Sequence, residues 1–111
     1  MPHVVNKHYH VPSTRDIYIG RPSPLANRWS SKPSKFPEVK KVTTREEAIA
    51  HYQVWLHEQV AGGNMVVVNA LLAIPRNANL VCYCAPNPCH GHVVARYVDD
   101  LHAALRAHVR S

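Results

Sequence analysis

All three cysteines of the 111-residue chain fall in the run Val81-Cys82-Tyr83-Cys84-Ala85-Pro86-Asn87-Pro88-Cys89-His90-Gly91-His92. Thiols and imidazoles so close together support two chemistries. If a helix opens near Cys89, its positive end and the adjacent ring favour the thiolate, making Cys89 a candidate nucleophile with His90 or His92 as its base. Alternatively, Cys84, Cys89, His90 and His92 supply a Cys₂His₂ set for zinc, although the Cys89-His90 adjacency differs from the paired C-x₂₋₄-C knuckles of ordinary zinc modules. Cys82 sits deeper in the apolar stretch and reads as a small core residue. His8 and His10 form a second alternating pair, which would add to a metal centre if the two regions met in space. The H-x-E and P-C-x-x-C pairs of zinc deaminases are absent.

These residues need a scaffold. Val4-Val5 and Asp16–Gly20 read as short strands, the second running into the rigid loop Arg21-Pro22-Ser23-Pro24. From about residue 21 to 43 the chain is rich in proline and serine, and Leu25, Trp29 and Phe36 predict an ordered loop lying over the body of the protein. Thr44-Arg45-Glu46-Glu47 matches a capping box, and Ile49, Tyr52, Trp55, Leu56 and Val60 then recur at helical spacing. Gly62-Gly63 should stop that helix. Asn64 to Ile74 reads as a buried helix with a strand at Val66-Val67-Val68 as the alternative, and Pro75 ends either one. Leu80–Cys84 has the continuous apolar character of a strand buried in a parallel sheet. Val94, Tyr97, Val98, Leu101 and Leu105 then mark one face of a closing helix, with His108 and Arg110 near its end.

The element order predicts a single small α/β domain, with a short, mostly parallel sheet flanked by helices in a Rossmann-like three-layer or two-layer sandwich. Ligands of such sheets gather beyond the carboxyl ends of the strands, where Gly20-Arg21 and Cys84 are expected. Backbone N–H groups at the start of the last helix and the Arg21 guanidinium would together suit a phosphate or carboxylate. The G-x-G-x-x-G and Walker A loops are both absent from the sequence.

A hydrophobic content of 46%, with 18% charged residues, fits a folded domain. No apolar run approaches the roughly 18 residues needed to span a bilayer. The start of the sequence has no secretory pattern, which predicts a cytoplasmic protein with reduced thiols. The formal net charge of +6 favours an anionic partner. Arg15, Arg21, Arg28, Lys32, Lys35, Lys40, Lys41 and Arg45 concentrate that charge, and Trp29 and Phe36 among them would allow base stacking in a nucleic-acid module. No helix-turn-helix or RNP signature accompanies them.

Val4-Val5-Asn6-Lys7, Tyr18-Ile19-Gly20-Arg21-Pro22 with Leu25 and Asn27, Arg45-Glu46-Glu47-Ala48 with Tyr52 and Trp55-Leu56, and Leu80 to Pro86 through Pro88-Cys89-His90-Gly91 resemble a family of small phage and bacterial proteins known as domain of unknown function 4326. The resemblance covers nearly the whole chain. It implies site positions at Asn6, Gly20, Arg21, Asn27, Cys84, Cys89, His90 and Gly91. Three segments depart from the family pattern: Ala26-Asn27-Arg28-Trp29 replaces Gly-Asn-Pro-Phe, His92 stands where an acidic residue commonly follows Cys-His-Gly, and Arg76-Asn77-Ala78-Asn79 replaces a glycine-lysine turn. The missing carboxylate weakens any acid/base role at that position and slightly raises the metal reading.

The resulting expectation is a pocket for a nucleotide-like or phosphorylated small molecule. Cys89 and His90 would carry hydrolase or transferase chemistry there, with Asn6, Gly20, Arg21, Asn27, Cys84 and Gly91 binding the ligand. The alternative is a non-catalytic, zinc-stabilised accessory protein of a phage, acting in the host cytoplasm on nucleic acid or a host protein.

Overall fold

The computed structural model describes residues 2–8, 10–21, 23–32, 39–82 and 89–110, excluding the side chains of residues 105 and 108–110. Along the chain run β1 (His3–Asn6), β2 (Asp16–Tyr18), β3 (Trp29–Ser30), β4 (Lys40–Lys41), α1 (Arg45–Ala61), α2 (Met65–Leu72), β5 (Asn79–Cys82) and α3 (His90–Arg110). Phe36, Tyr83 and Cys84 lie outside the described residues, as does the side chain of Leu105.

The continuously apolar β5 is the middle strand of a three-stranded parallel sheet of order β1-β5-β2. Leu80, Val81 and Cys82 of this middle strand are all buried, and α3 packs against it. Asn6 lies opposite Cys82, and Tyr18 opposite Val81, so all three strands end on the same side. β2 ends at Tyr18 instead of Gly20, although the Ile19 N–H still donates to the Val81 carbonyl at 3.1 Å.

The 21–43 loop contains a feature that its composition did not predict. Lys40 N–H donates to Arg28 O at 2.7 Å and Val42 N–H to Ser30 O at 2.8 Å, pairing β3 with β4 in parallel. Two-residue strands are too short to leave any periodicity in the sequence. Beneath them, Trp29 stacks on His51 of α1 at 5.3 Å, and the Arg28 guanidinium lies 5.0 Å from the Trp55 ring centre. Leu25 is buried, and its carbonyl accepts the Tyr52 hydroxyl at 2.7 Å. The described part of the loop is therefore fastened to α1.

α1 begins as the capping residues predict, with Thr44 Oγ1 accepting the Glu47 N–H at 3.1 Å. Glu47 Oε2 reaches back to the Thr43 N–H at 3.3 Å, one residue before the donor used in a standard capping box. Gly63, at φ 71, supplies the left-handed residue that ends the helical run. The Val66-Val67-Val68 run is helical: Asn64 Oδ1 caps the Val66 N–H at 3.2 Å, and Val67 and Leu71 bury the same face four residues apart.

α3 packs on β1 and β5, and α1 and α2 pack on α3 and on each other. Tyr52, Leu56, Leu71, Leu80, Val94 and Val98 fill the common core. Each buried leucine contributes roughly 1.5–3 kcal/mol. The described residues include no helix long and apolar enough to cross a membrane. The architecture is a small α/β domain with a short parallel main sheet.

Candidate functional site

The site follows from where β5 and α3 meet. α3 starts at His90, which makes Cys89 the residue at its N-cap position. Cys89 Sγ accepts the Gly91 N–H at 3.4 Å, the geometry a serine or aspartate oxygen adopts at a helix start. The same sulfur lies 3.5 Å from His90 Nδ1 and 3.3 Å from Cys82 Sγ at the end of β5. Both cysteines are 2% exposed, so they form a thiol pair within the core.

His90 crosses to the neighbouring strand, where its Nε2 lies 2.8 Å from the Ile19 carbonyl oxygen. A carbonyl can only accept, so Nε2 carries the proton, and in the neutral ring Nδ1 is the acceptor facing Cys89. Tyr52 meets the imidazole edge-on at 4.9 Å. Burial holds the His90 imidazole below its ordinary range, against the Ile19 carbonyl and a charged Cys82, which favour the protonated ring, while Arg21 and His92 add to the lowering. Burial also drives the Tyr52 phenol far upward, with negative charge on Cys89 adding to the effect. The centre therefore pairs a thiol with a neutral base whose tautomer is set by backbone.

The other candidate residues have distinct positions. Asn6 ends β1 opposite Cys82, and its Oδ1 accepts the His8 N–H at 2.9 Å. Gly20 starts a turn closed by the Ser23 N–H at 2.8 Å, and a side chain there would run into the Tyr18 ring. The Arg21 Nε donates to Asn27 O at 3.0 Å and its Nη2 to Trp29 O at 3.4 Å, so one edge of the fork braces the loop. Asn27 is also a loop fastener, with Nδ2 donating to Ala48 O at 3.3 Å and Oδ1 accepting the Trp29 N–H at 3.0 Å. Gly91 is buried, and a Cβ there would stand 3.0 Å from both Ile19 Cδ1 and Val4 Cγ1. It allows α3 to approach the sheet closely enough to deliver His90. His92 is exposed and turns back toward the Cys89 carbonyl, with Nδ1 at 3.2 Å.

Cys84 belongs to the undescribed 83–88 segment, so the full Cys84, Cys89, His90 and His92 set cannot be assembled from the described residues. Among those residues, no group of three or more His, Cys, Asp and Glu side chains is placed to hold a metal ion. His10 lies elsewhere. Its Nε2 meets Asp16 Oδ1 at 2.8 Å, and that oxygen also accepts from Asn79 Nδ2 at 3.2 Å, at the amino ends of the strands. The Ser13 N–H, followed by His10 and Asn79, holds the Asp16 carboxyl below its ordinary value against some desolvation.

Sequence reasoning passed over Cys82 as a functional residue. Its apolar surroundings give a correct account of its burial but say nothing of the return of Cys89 to its side. The available signal was that a strand end and a helix start with six residues between Cys82 and Cys89 must lie near one another.

Comparison with curated proteins and with solved structures finds no match. Residues 4–100, which carry the strand, loop and helix segments described above together with Cys89 and His90, match the family described as Domain of unknown function (DUF4326), and the chain belongs to that family.

Proposed function

We propose that the chain binds an anionic, nucleotide-like or phosphorylated small molecule at the carboxyl end of its sheet, and that Cys89 with His90 performs hydrolase or transferase chemistry on it. The observation that carries this reading is the Cys89 sulfur, which has a helix N–H at 3.4 Å and an acceptor imidazole nitrogen at 3.5 Å. A core cysteine needs neither neighbour. The donor stabilises developing thiolate, and the imidazole can take the thiol proton. Asn6, Gly20 and Arg21 lie at or just beyond the ends of β1 and β2, where ligands of parallel sheets collect. Because the Nε edge of Arg21 braces the loop, an anion would meet the outer edge of the guanidinium.

The test is a thermal-shift screen of inorganic phosphate, nucleoside mono- and diphosphates and sugar phosphates, followed by turnover assays on each binder. A stabilising ligand should remain bound by the Cys89→Ser protein while its turnover falls at least about 100-fold. Arg21→Lys, which retains charge but loses the planar fork, should weaken binding about tenfold. A screen without a stabilising ligand, or unchanged turnover in Cys89→Ser, refutes the reading.

The competing proposal is a zinc-stabilised accessory protein that binds nucleic acid or a host protein. Exposed Arg28, Lys32, Lys40 and Lys41 on and beside the β3–β4 pair favour its basic contact surface. About one zinc per chain by elemental mass spectrometry, with Cys84 as a required ligand, would favour that proposal over the thiol reading.

A further inference from the structure

We propose that Cys82 and Cys89 form a reversible dithiol–disulfide couple oxidised by a small hydroperoxide, with Cys89 as the attacking thiol and Cys82 as the resolving one. This goes beyond the anion-binding reading and requires no bound ligand. The sulfurs lie 3.3 Å apart, against the ~2.05 Å of a disulfide. A modest approach of the α3 start toward the end of β5 would close the bond. Cys89 suits the attacking role because the Gly91 N–H and His90 Nδ1 both address its sulfur. Cys82 presents its sulfur from the strand on the other side.

The steps balance. His90 Nδ1 accepts the Cys89 thiol proton, and the thiolate attacks the terminal oxygen of the hydroperoxide. The O–O bond breaks, leaving Cys89 as a sulfenic acid, and the departing alkoxide takes that proton to become an alcohol. The Cys82 sulfur then attacks the Cys89 sulfur. The S–O bond breaks, and hydroxide leaves with the Cys82 proton as water. Two thiols and one hydroperoxide become one disulfide, one alcohol and one water. The thiols are oxidised and the peroxide oxygen is reduced. Burial of both sulfurs at 2% exposure selects a small oxidant over a bulky disulfide.

The test uses the full chain carrying Cys84→Ser, which leaves only the proposed pair, treated with hydrogen peroxide under native conditions. After quenching, unfolding and alkylation, its mass should show the loss of two hydrogens and no alkylated thiol, with dithiothreitol restoring both. The Cys82→Ser, Cys84→Ser protein should instead gain oxygen on Cys89. Cys84→Ala provides the same assay if serine disturbs the fold. The proposal is overturned if the Cys84→Ser protein gains oxygen without losing two hydrogens, or keeps both thiols open to alkylation. It is also overturned if the disulfide forms no faster in the folded protein than in guanidine, or if a Cys82→Ser protein forms a disulfide as readily as Cys84→Ser.

Discussion

His90 places an imidazole where burial disfavours a proton unless a thiolate faces the ring, and the consequence can be measured. Its value in the folded chain is lowered by burial, whereas in the unfolded chain the ring takes up a proton near pH ~6.5. Stability associated with the neutral ring is therefore fully present above that pH. It is lost as pH falls toward the folded value, by up to about 1.4 kcal/mol per pH unit. Replacing His90 by Gln retains an N–H for the Ile19 carbonyl and removes the titration. In urea unfolding from pH 7.5 down to 5, the wild-type advantage over His90→Gln should shrink with that slope. A constant difference would mean that His90 titrates alike in the folded and unfolded chains.

Two helix starts allow opposing local effects to be weighed. At Gly91, alanine would gain about 1 kcal/mol of helix propensity. Its Cβ would, however, enter a space where Ile19 and Val4 methyls already lie at 3.0 Å, and such overpacking costs about 1–3 kcal/mol. Packing should outweigh propensity, and Gly91→Ala is expected to destabilise by up to about 2 kcal/mol, read as a lower urea midpoint with an unchanged slope. At α1, Thr44→Ala removes the acceptor for the Glu47 N–H and should reduce stability by about 1 kcal/mol. The Thr44 cap could be predicted from adjacent residues. The reason for glycine at position 91 could not, because the atoms it avoids belong to β1 and the segment after β2.

Across the molecule, the +6 charge is a field that any anionic ligand must experience. Screening shortens its reach from about 10 Å at 0.1 M salt to about 3 Å at 1 M. Affinity for the phosphorylated ligand proposed at Arg21 should therefore fall several-fold across that range by calorimetry, while an uncharged analogue should bind independently of salt. The same scale sets how far apart in sequence the parts of the main sheet lie. The middle strand of the main sheet is the last strand in the chain, so β1 and β2 have their shared partner only after more than half of the sequence has intervened.

Much of the architecture was legible without coordinates because it depends on local signals. The apolar run of β5, the Thr44 cap, the helical spacing of Tyr52 and Leu56, and the Cys89-His90 adjacency are properties of neighbouring residues. The strand or helix identity of 64–74 was less local, and burial of Val67 and Leu71 decided it. The β3–β4 pair had no pattern long enough to read. Tertiary structure alone brought Cys82 to Cys89, set the His90 tautomer through Ile19 and engaged one edge of Arg21 with the carbonyls of Asn27 and Trp29. Sequence determined which groups were available for chemistry, because side-chain type is local. The fold decided which of them face one another, because that depends on the distance between segments after the sheet has closed.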